Sequence, residues 1–262
     1  MNRAKIKSTL LKALKESGKI LKSTLTERRV VEKKSELSLV TASDKESEKT
    51  ILQIIEASFP DHAILSEESP PRGKSSSRWI IDPLDGTTNF AHTFPVACVS
   101  IAYEEKGRVE LGGVYDPFKD ELFLGERGNG ATMNGNPIIV SKMPALSESL
   151  LCTGFPYDRR ERPDEYLAIF KAFMMKVQGV RRMGAAAIDL CYVACGRFDG
   201  YWEMKLNSWD KAAAMLIIEE AGGSLSNFSG QPLGLEDAQN VASNGFIHAE
   251  MLGVLNPFRT MA

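Results

Sequence analysis

Asp82 and Asp85 sit three residues apart in the stretch Trp79-Ile80-Ile81-Asp82-Pro83-Leu84-Asp85-Gly86-Thr87-Thr88-Asn89-Phe90. The apolar opening, Trp79 to Ile81, reads as a buried strand, so both carboxylates arrive at a strand end and can point at one spot. Pro83 between them has a fixed φ and no N–H, which stiffens the bend. The Leu84 carbonyl oxygen falls between the two acids. Two carboxylates and one carbonyl form a hard-oxygen set of the kind that suits Mg²⁺. Gly86, Thr87 and Thr88 follow, and a Gly-Thr turn opening a short helix offers free backbone N–H groups to an anion. One segment therefore offers metal ligands beside a phosphate cradle. Asp-Pro and Asp-Gly are also common turn dipeptides, so on these residues alone a structural turn fits as well.

Other acids can join them. Ala63-Ile64-Leu65 reads as a brief strand running into Ser66-Glu67-Glu68-Ser69. Adjacent glutamates after a strand project to opposite sides, so only one can face a site, and a solvated acidic turn is the alternative. Asp210 falls in the first turn of an Ala-rich helix, where an acid also complements the helix dipole. Glu203 precedes it by seven residues in Trp202-Glu203-Met204, and Asp44 opens an earlier helix. His62, His92 and His248 have no triad-like context. Cys98, Cys152, Cys191 and Cys195 lie in apolar segments without CxxC spacing and read as buried free thiols in a reducing cytoplasm.

These residues need elements to hold them. Ile6, Leu10, Ala13, Leu14, Ser17, Ile20 and Leu21 follow helical spacing and predict a helix over 2–23. Residues 24–43 read as polar and irregular, with an apolar patch at Leu37, Leu39 and Val40. A second helix is expected over 44–58, capped by Ser43 or Asp44. Strands at 96–103, 109–115 and 121–124 and a hairpin over 128–137 predict an antiparallel sheet wrapped by these two helices. A hinge is expected over 143–149. The second half alternates: strands near 149–153, 178–182, 198–202, 224–226 and 240–243, with helices near 164–176, 185–195, 209–221 and 246–254. The class is α/β (α+β), in two halves, 1–143 and 144–262.

Composition narrows the function classes. The chain has 262 residues, 43% hydrophobic and 25% charged, with a net charge of −2, which suits a globular protein. The first 50 residues hold 13 Lys+Arg against 7 Asp+Glu, read as the solvated face of an amphipathic helix. No apolar run approaches the ~18 residues of a membrane span. The stretch 1–25 has no apolar h-region, so no signal peptide is expected. The expected location is cytoplasmic, with neither membrane nor nucleic acid as partner.

Four pieces, in order and spacing, carry a resemblance to a known family: Asp44 in VTASD, Glu67 in SEES, the WIIDPLDGTTNF stretch, and WEMKLNSWDKAAA followed by EEAGG. Over roughly residues 37–230 the chain resembles the inositol monophosphatase family, which belongs to a wider group of Mg²⁺-dependent, lithium-sensitive phosphatases. The resemblance implies a layered αβαβα sandwich, usually a homodimer. It implies that Glu67, Asp82 and the Leu84 carbonyl hold a first Mg²⁺, and that Asp82, Asp85 and Asp210 hold a second. Asp44 would be the outer residue of a third, weaker site. The Gly86 and Thr87 N–H groups would hold phosphate oxygens. Glu203 and the turn Gly184-Ala185-Ala186 would line the alcohol half of the pocket.

The implied activity is hydrolysis of inositol 1-phosphate, with Glu67 and the Thr87 hydroxyl orienting a water and accepting its proton, and Li⁺ as inhibitor. Lys205, which could pair with Glu203 or meet a second phosphate, and the Arg181-Arg182 pair leave room for fructose 1,6-bisphosphate. Sister enzymes for nucleotide 3′-phosphates and histidinol phosphate typically carry Lys where Thr88 stands. Ser66 departs from a Gly common in the inositol branch. A regulatory protein acting on nucleic acid or transcription machinery is the non-enzymatic alternative.

Overall fold

The computed structural model describes residues 2–26, 31–33 and 39–261. The apolar stripe of helix α1 (Arg3–Thr24) buries Ile6, Leu10, Ala13, Leu14, Ser17 and Leu21, and the Asn2 side chain caps its start. Two short strands follow, β1 (Val31–Lys33) and β2 (Leu39–Thr41), paired antiparallel where the sequence reads as irregular. Leu37, part of the expected apolar patch there, lies outside the described residues. Helix α2 (Ala42–Ser58) starts two residues before the expected position. Thr41 is the cap, and its N–H and hydroxyl both donate to Asp44. Asp44 is thus in the first turn, not at the cap.

The first sheet has seven strands: β3 (Ala63–Ser66), β4 (Ser77–Asp85), β5 (Cys98–Glu105), β6 (Arg108–Asp116), β7 (Glu121–Glu126), β8 (Ala131–Met133) and β9 (Asn136–Ile138), in sequential order. It is antiparallel except for the β3–β4 edge, which is parallel. The register of β4 on β5 slips between Asp82, opposite Ser100, and Asp85, opposite Cys98. This is a bulge around Pro83, which has no N–H to give the ladder.

The second sheet runs β11-β10-β12-β14-β13. Its strands are β10 (Leu150–Thr153), β11 (Gly179–Arg181), β12 (Gly200–Met204), β13 (Ser224–Ser226) and β14 (Gln239–Ser243). Helices α4 (Pro163–Met174), α5 (Ala186–Ala194), α6 (Ser208–Glu220) and α7 (His248–Leu255) alternate with them, and a short α3 (Thr87–Ala91) follows β4.

Three hydrophobic clusters separate five layers. Ile6, Leu10, Leu14, Ile51 and Ile55 pack with Trp79, Ile81 and Ile101, joining α1 and α2 to one face of the first sheet. Ile80, Val114, Ile188, Val193, Leu216 and Tyr201 form the middle cluster, with α5 and α6 between the sheets. Tyr166, Phe173, Trp202, Met251 and Leu255 join α4 and α7 to the outer face of the second sheet. The order is αβαβα. Helix α6 lies directly on the first sheet because two strand positions lack side chains. A Cβ on Gly112 would fall 2.6 Å from the Ala213 carbonyl oxygen, and one on Gly125 2.9 Å from Ile217 Cα. That close approach brings Asp210, at the start of α6, to the end of β4. No described helix is long and apolar enough to cross a membrane.

Candidate active site

The bulged end of β4 presents the first acids. Asp82 is 1% exposed, and its Oδ1 accepts the Leu84 N–H at 3.0 Å. Asp85 Oδ2 accepts the Ala187 N–H at 2.6 Å, which ties β4 to the first turn of α5. The Cys98 thiol donates to the same oxygen at 3.7 Å. Gly86 then turns the chain with φ 90°, a left-handed conformation that favours glycine, and a Cβ there would also meet the Val96 carbonyl at 2.8 Å. Thr87 opens α3. Its hydroxyl lies 3.1 Å from Asp44 Oδ1 and 3.1 Å from the Leu84 carbonyl oxygen, both acceptors.

Two acids arrive from elsewhere. The Glu67 N–H donates to the Ile81 carbonyl at 3.2 Å, which pins the end of β3 beside β4 and sets this glutamate next to the aspartates. Asp210 closes a capping box: its Oδ2 accepts the Asn207 N–H at 2.7 Å. The helix-start role that the sequence suggests is real, but it uses one carboxylate oxygen.

The acids disturb one another. Burial pushes the Asp82 carboxyl well above its usual range, and Glu67, Asp85 and Asp210 add repulsion. Asp85 is pushed up to about 6, chiefly by burial, against the stabilising Ala187 N–H. Asp210 is raised by burial and then by Asp85 and Glu67. Asp44 is raised by burial, opposed by its bonds to Thr41 and Thr87. Like charges gathered in a poorly solvated site disfavour joint ionisation unless a cation sits among them.

A cavity opens beside this cluster. Asp85, Gly86 and Asp210 line it together with Gly184, Ala185, Ala186 and Glu203. Asp44, Glu67, Asp82, Leu84 and Thr87 are not among the residues that line it. The Glu203 carboxyl is buried, takes a close hydrogen bond from the Tyr201 hydroxyl, and is pushed up to about 7, chiefly by burial. Lys205 pairs with Asp158 at 2.7 Å and not with Glu203. Arg182 lines the cavity and Arg181 does not, and both are exposed. The sequence reading missed Gly154, Tyr157, Arg159 and Asp189, which also line it. Asp189 is buried and one of its carboxyl oxygens has no hydrogen-bond partner among the described residues. No local pattern marks these positions, because α5 and the β10 end reach the cavity only through tertiary packing.

The donors suit Mg²⁺ in kind: carboxylates plus a backbone carbonyl, Asp44, Asp82, Leu84 and Asp85 buried and Glu67 and Asp210 half-buried, with no soft ligand among them. Asp82 and Asp210 each hold a backbone N–H with one oxygen and keep the other for a second partner. Among the described residues, no three His, Cys, Asp or Glu side chains converge into a closed cage as they stand. The fit therefore lies in donor type, burial and mutual repulsion. Two of the histidines are engaged elsewhere: His62 accepts the Trp79 indole N–H, and His248 bonds Ser226 and Ser243.

The sequence profile of the inositol monophosphatase family matches residues 2–257. The chain is 50% identical over 215 residues to an inositol-1-monophosphatase of Synechocystis, covering 81% of this chain and 75% of that protein. It is 39% identical over 255 residues to the Nus factor SuhB of Pseudomonas aeruginosa, covering 94% of each. A solved inositol monophosphatase from Anabaena superposes with a TM-score of 0.89 at 43% identity, covering 98% of this chain and 97% of that one. The chain belongs to the inositol monophosphatase family of phosphatases.

Proposed function

We propose that this protein is a Mg²⁺-dependent, lithium-inhibited phosphomonoesterase that hydrolyses inositol 1-phosphate to inositol and phosphate. The observation that carries the reading is the cluster at the end of β4, where Glu67, Asp85 and Asp210 crowd Asp82 and raise its carboxyl, beside a cavity that Asp85, Asp210 and Glu203 line. Glu67, Asp82 and the Leu84 carbonyl would hold one ion; Asp82, Asp85 and Asp210 a second; Asp44 would stand at the edge of a third. Bound Mg²⁺ neutralises the carboxylates, balances phosphoryl charge and makes a nearby water more acidic.

The chain's own groups do the rest. Thr87 Oγ1 can take a proton from the attacking water while passing its own to Asp44 Oδ1, 3.1 Å away. Burial of Asp44 raises its affinity for that proton. Glu67 orients the same water. The Gly86 and Thr87 N–H groups hold phosphate oxygens in line for displacement. Glu203, with the Gly184 to Ala186 turn, binds the alcohol. The halves 1–143 and 144–262, each built on one of the two large sheets, would bring metal-side acids and alcohol-side residues together. The molecule is read as a cytoplasmic homodimer.

A second substrate reading is supported by Arg159, Arg182 and Lys205 in the same cavity, cations suited to a second phosphate as in fructose 1,6-bisphosphate. A second role on transcription machinery is raised by the SuhB-named relatives. Comparing kcat/KM for inositol 1-phosphate, fructose 1,6-bisphosphate, histidinol phosphate and 3′-phosphoadenosine 5′-phosphate separates the substrates. Preference for inositol 1-phosphate is expected. A higher value for any other moves the assignment to that sister activity, and no release from any favours the binding role.

A further inference from the structure

The alcohol-side wall of the cavity is built where two neighbouring strands compete for one space. Strand β10 runs parallel to β12 with Cys152 opposite Tyr201 and Thr153 opposite Trp202, so the next residue, Gly154, comes opposite Glu203. A side chain on Gly154 would begin where the glutamate ends. Its Cβ would lie 2.2 Å from both Glu203 carboxylate oxygens and 2.3 Å from Cδ. Those three atoms are the nearest neighbours of that Cβ. The backbone does not require glycine here, because Gly154 is not among the residues with positive φ. What glycine supplies at this position is room for the carboxyl. Both residues line the cavity, and the carboxyl is held there by the Tyr201 hydroxyl.

We propose that Gly154 is a positioning residue for substrate specificity: lacking a side chain, it lets the Glu203 carboxyl fold back against Tyr201 and face the hydroxyls of a polyol phosphate. This rests on the reading of Glu203 as a substrate-binding residue. The atoms in the way are the far end of a flexible side chain, so a methyl group at 154 is accommodated by rotation of Glu203 and the fold survives. The carboxyl then leaves Tyr201, and the cavity loses an acceptor aimed at the alcohol.

The test compares Gly154→Ala, Glu203→Ala and the double variant for KM and kcat on inositol 1-phosphate and on 2-glycerophosphate, which lacks the ring hydroxyls. A crystal structure of Gly154→Ala accompanies the kinetics. Each single variant should raise KM for inositol 1-phosphate roughly tenfold, the loss of one hydrogen bond to a charged group. The change should fall on KM more than on kcat, and should be small for 2-glycerophosphate. The double variant should match Glu203→Ala, because two changes acting through one carboxyl do not add. In the crystal, the carboxyl should have left Tyr201. An unmoved carboxyl overturns the positioning role, as does a normal KM in Gly154→Ala when Glu203→Ala raises it. Penalties that sum in full also overturn it. An unchanged KM in Glu203→Ala instead refutes the substrate role of Glu203, and the specificity claim falls with it.

Discussion

Replacing Glu203 with Gln tests the electrostatics of the cavity through stability alone. The carboxyl is pushed from an ordinary 4.5 up to about 7, chiefly by burial, with the Tyr201 hydroxyl and Arg182 opposing and Asp85 adding to the rise. In the unfolded chain the same group ionises near 4.5. Between these values the native state keeps a proton that the unfolded chain has released. Stability therefore falls as pH rises through that window and levels off above it. The span corresponds to about 3 kcal/mol. Gln keeps the shape and an acceptor for Tyr201 but cannot ionise. The metal-free Glu203→Gln protein should match the parent near the lower end of the window. At pH 8 it should exceed the parent by up to about 3 kcal/mol, about 6–12 °C in Tm. Urea denaturation of both proteins in EDTA, at pH 5 and pH 8, reads the difference. The other raised carboxyls are common to both proteins, and the part of the Asp210 and Asp189 shifts that Glu203 causes is relieved in the variant, which favours it in the same direction. A variant that loses stability with pH as steeply as the parent, or is the less stable of the two at pH 8, refutes the reasoning.

Further outcomes follow from the acidic cluster. Asp82→Asn should cut turnover at least ~100-fold in a phosphate-release assay, because the bridging acid loses its charge; near-normal turnover would remove Asp82 from the metal-binding set. Thr87→Ala should lower kcat roughly 100-fold, and Thr87→Ser should recover most of it, since only the hydroxyl enters the relay to Asp44; an Ala variant as fast as Ser would exclude the relay. Mg²⁺ should raise Tm in thermal unfolding, and more at pH 8 than at pH 5, because protons held by the raised Asp82, Asp85 and Asp210 carboxyls compete with the ion at low pH. An equal shift at both values would place Mg²⁺ elsewhere. Glu203→Ala should leave this Mg²⁺ shift intact; its loss would move Glu203 into the metal-binding group.

The aspartates were readable in the sequence because local rules fix them. A proline at a strand end forces the bulge that separates Asp82 from Asp85, and an acid in the first turn of α6 marks Asp210. Element types and order were also legible from hydrophobic periodicity. What escaped depends on contacts between distant segments. The strand expected to stop at residue 202 runs to Met204, because Glu203 pairs with Asn240 of β14. Lys205, seven residues before Ala212 in sequence, turns away from Glu203 toward Asp158, whose loop no local signal places nearby. The parallel β3–β4 edge and the β1–β2 pair are set by partners, not by their own short sequences. Gly154 and Asp189 belong to strand and helix termini that meet the cavity only once the layers have stacked.

The most direct test titrates Mg²⁺ into EDTA-treated protein and follows phosphate release from inositol 1-phosphate. The carboxylate cluster at the end of β4 should give no release without the ion, a saturable rise as it is added, and suppression by Li⁺. Release that persists undiminished in excess EDTA would contradict the account.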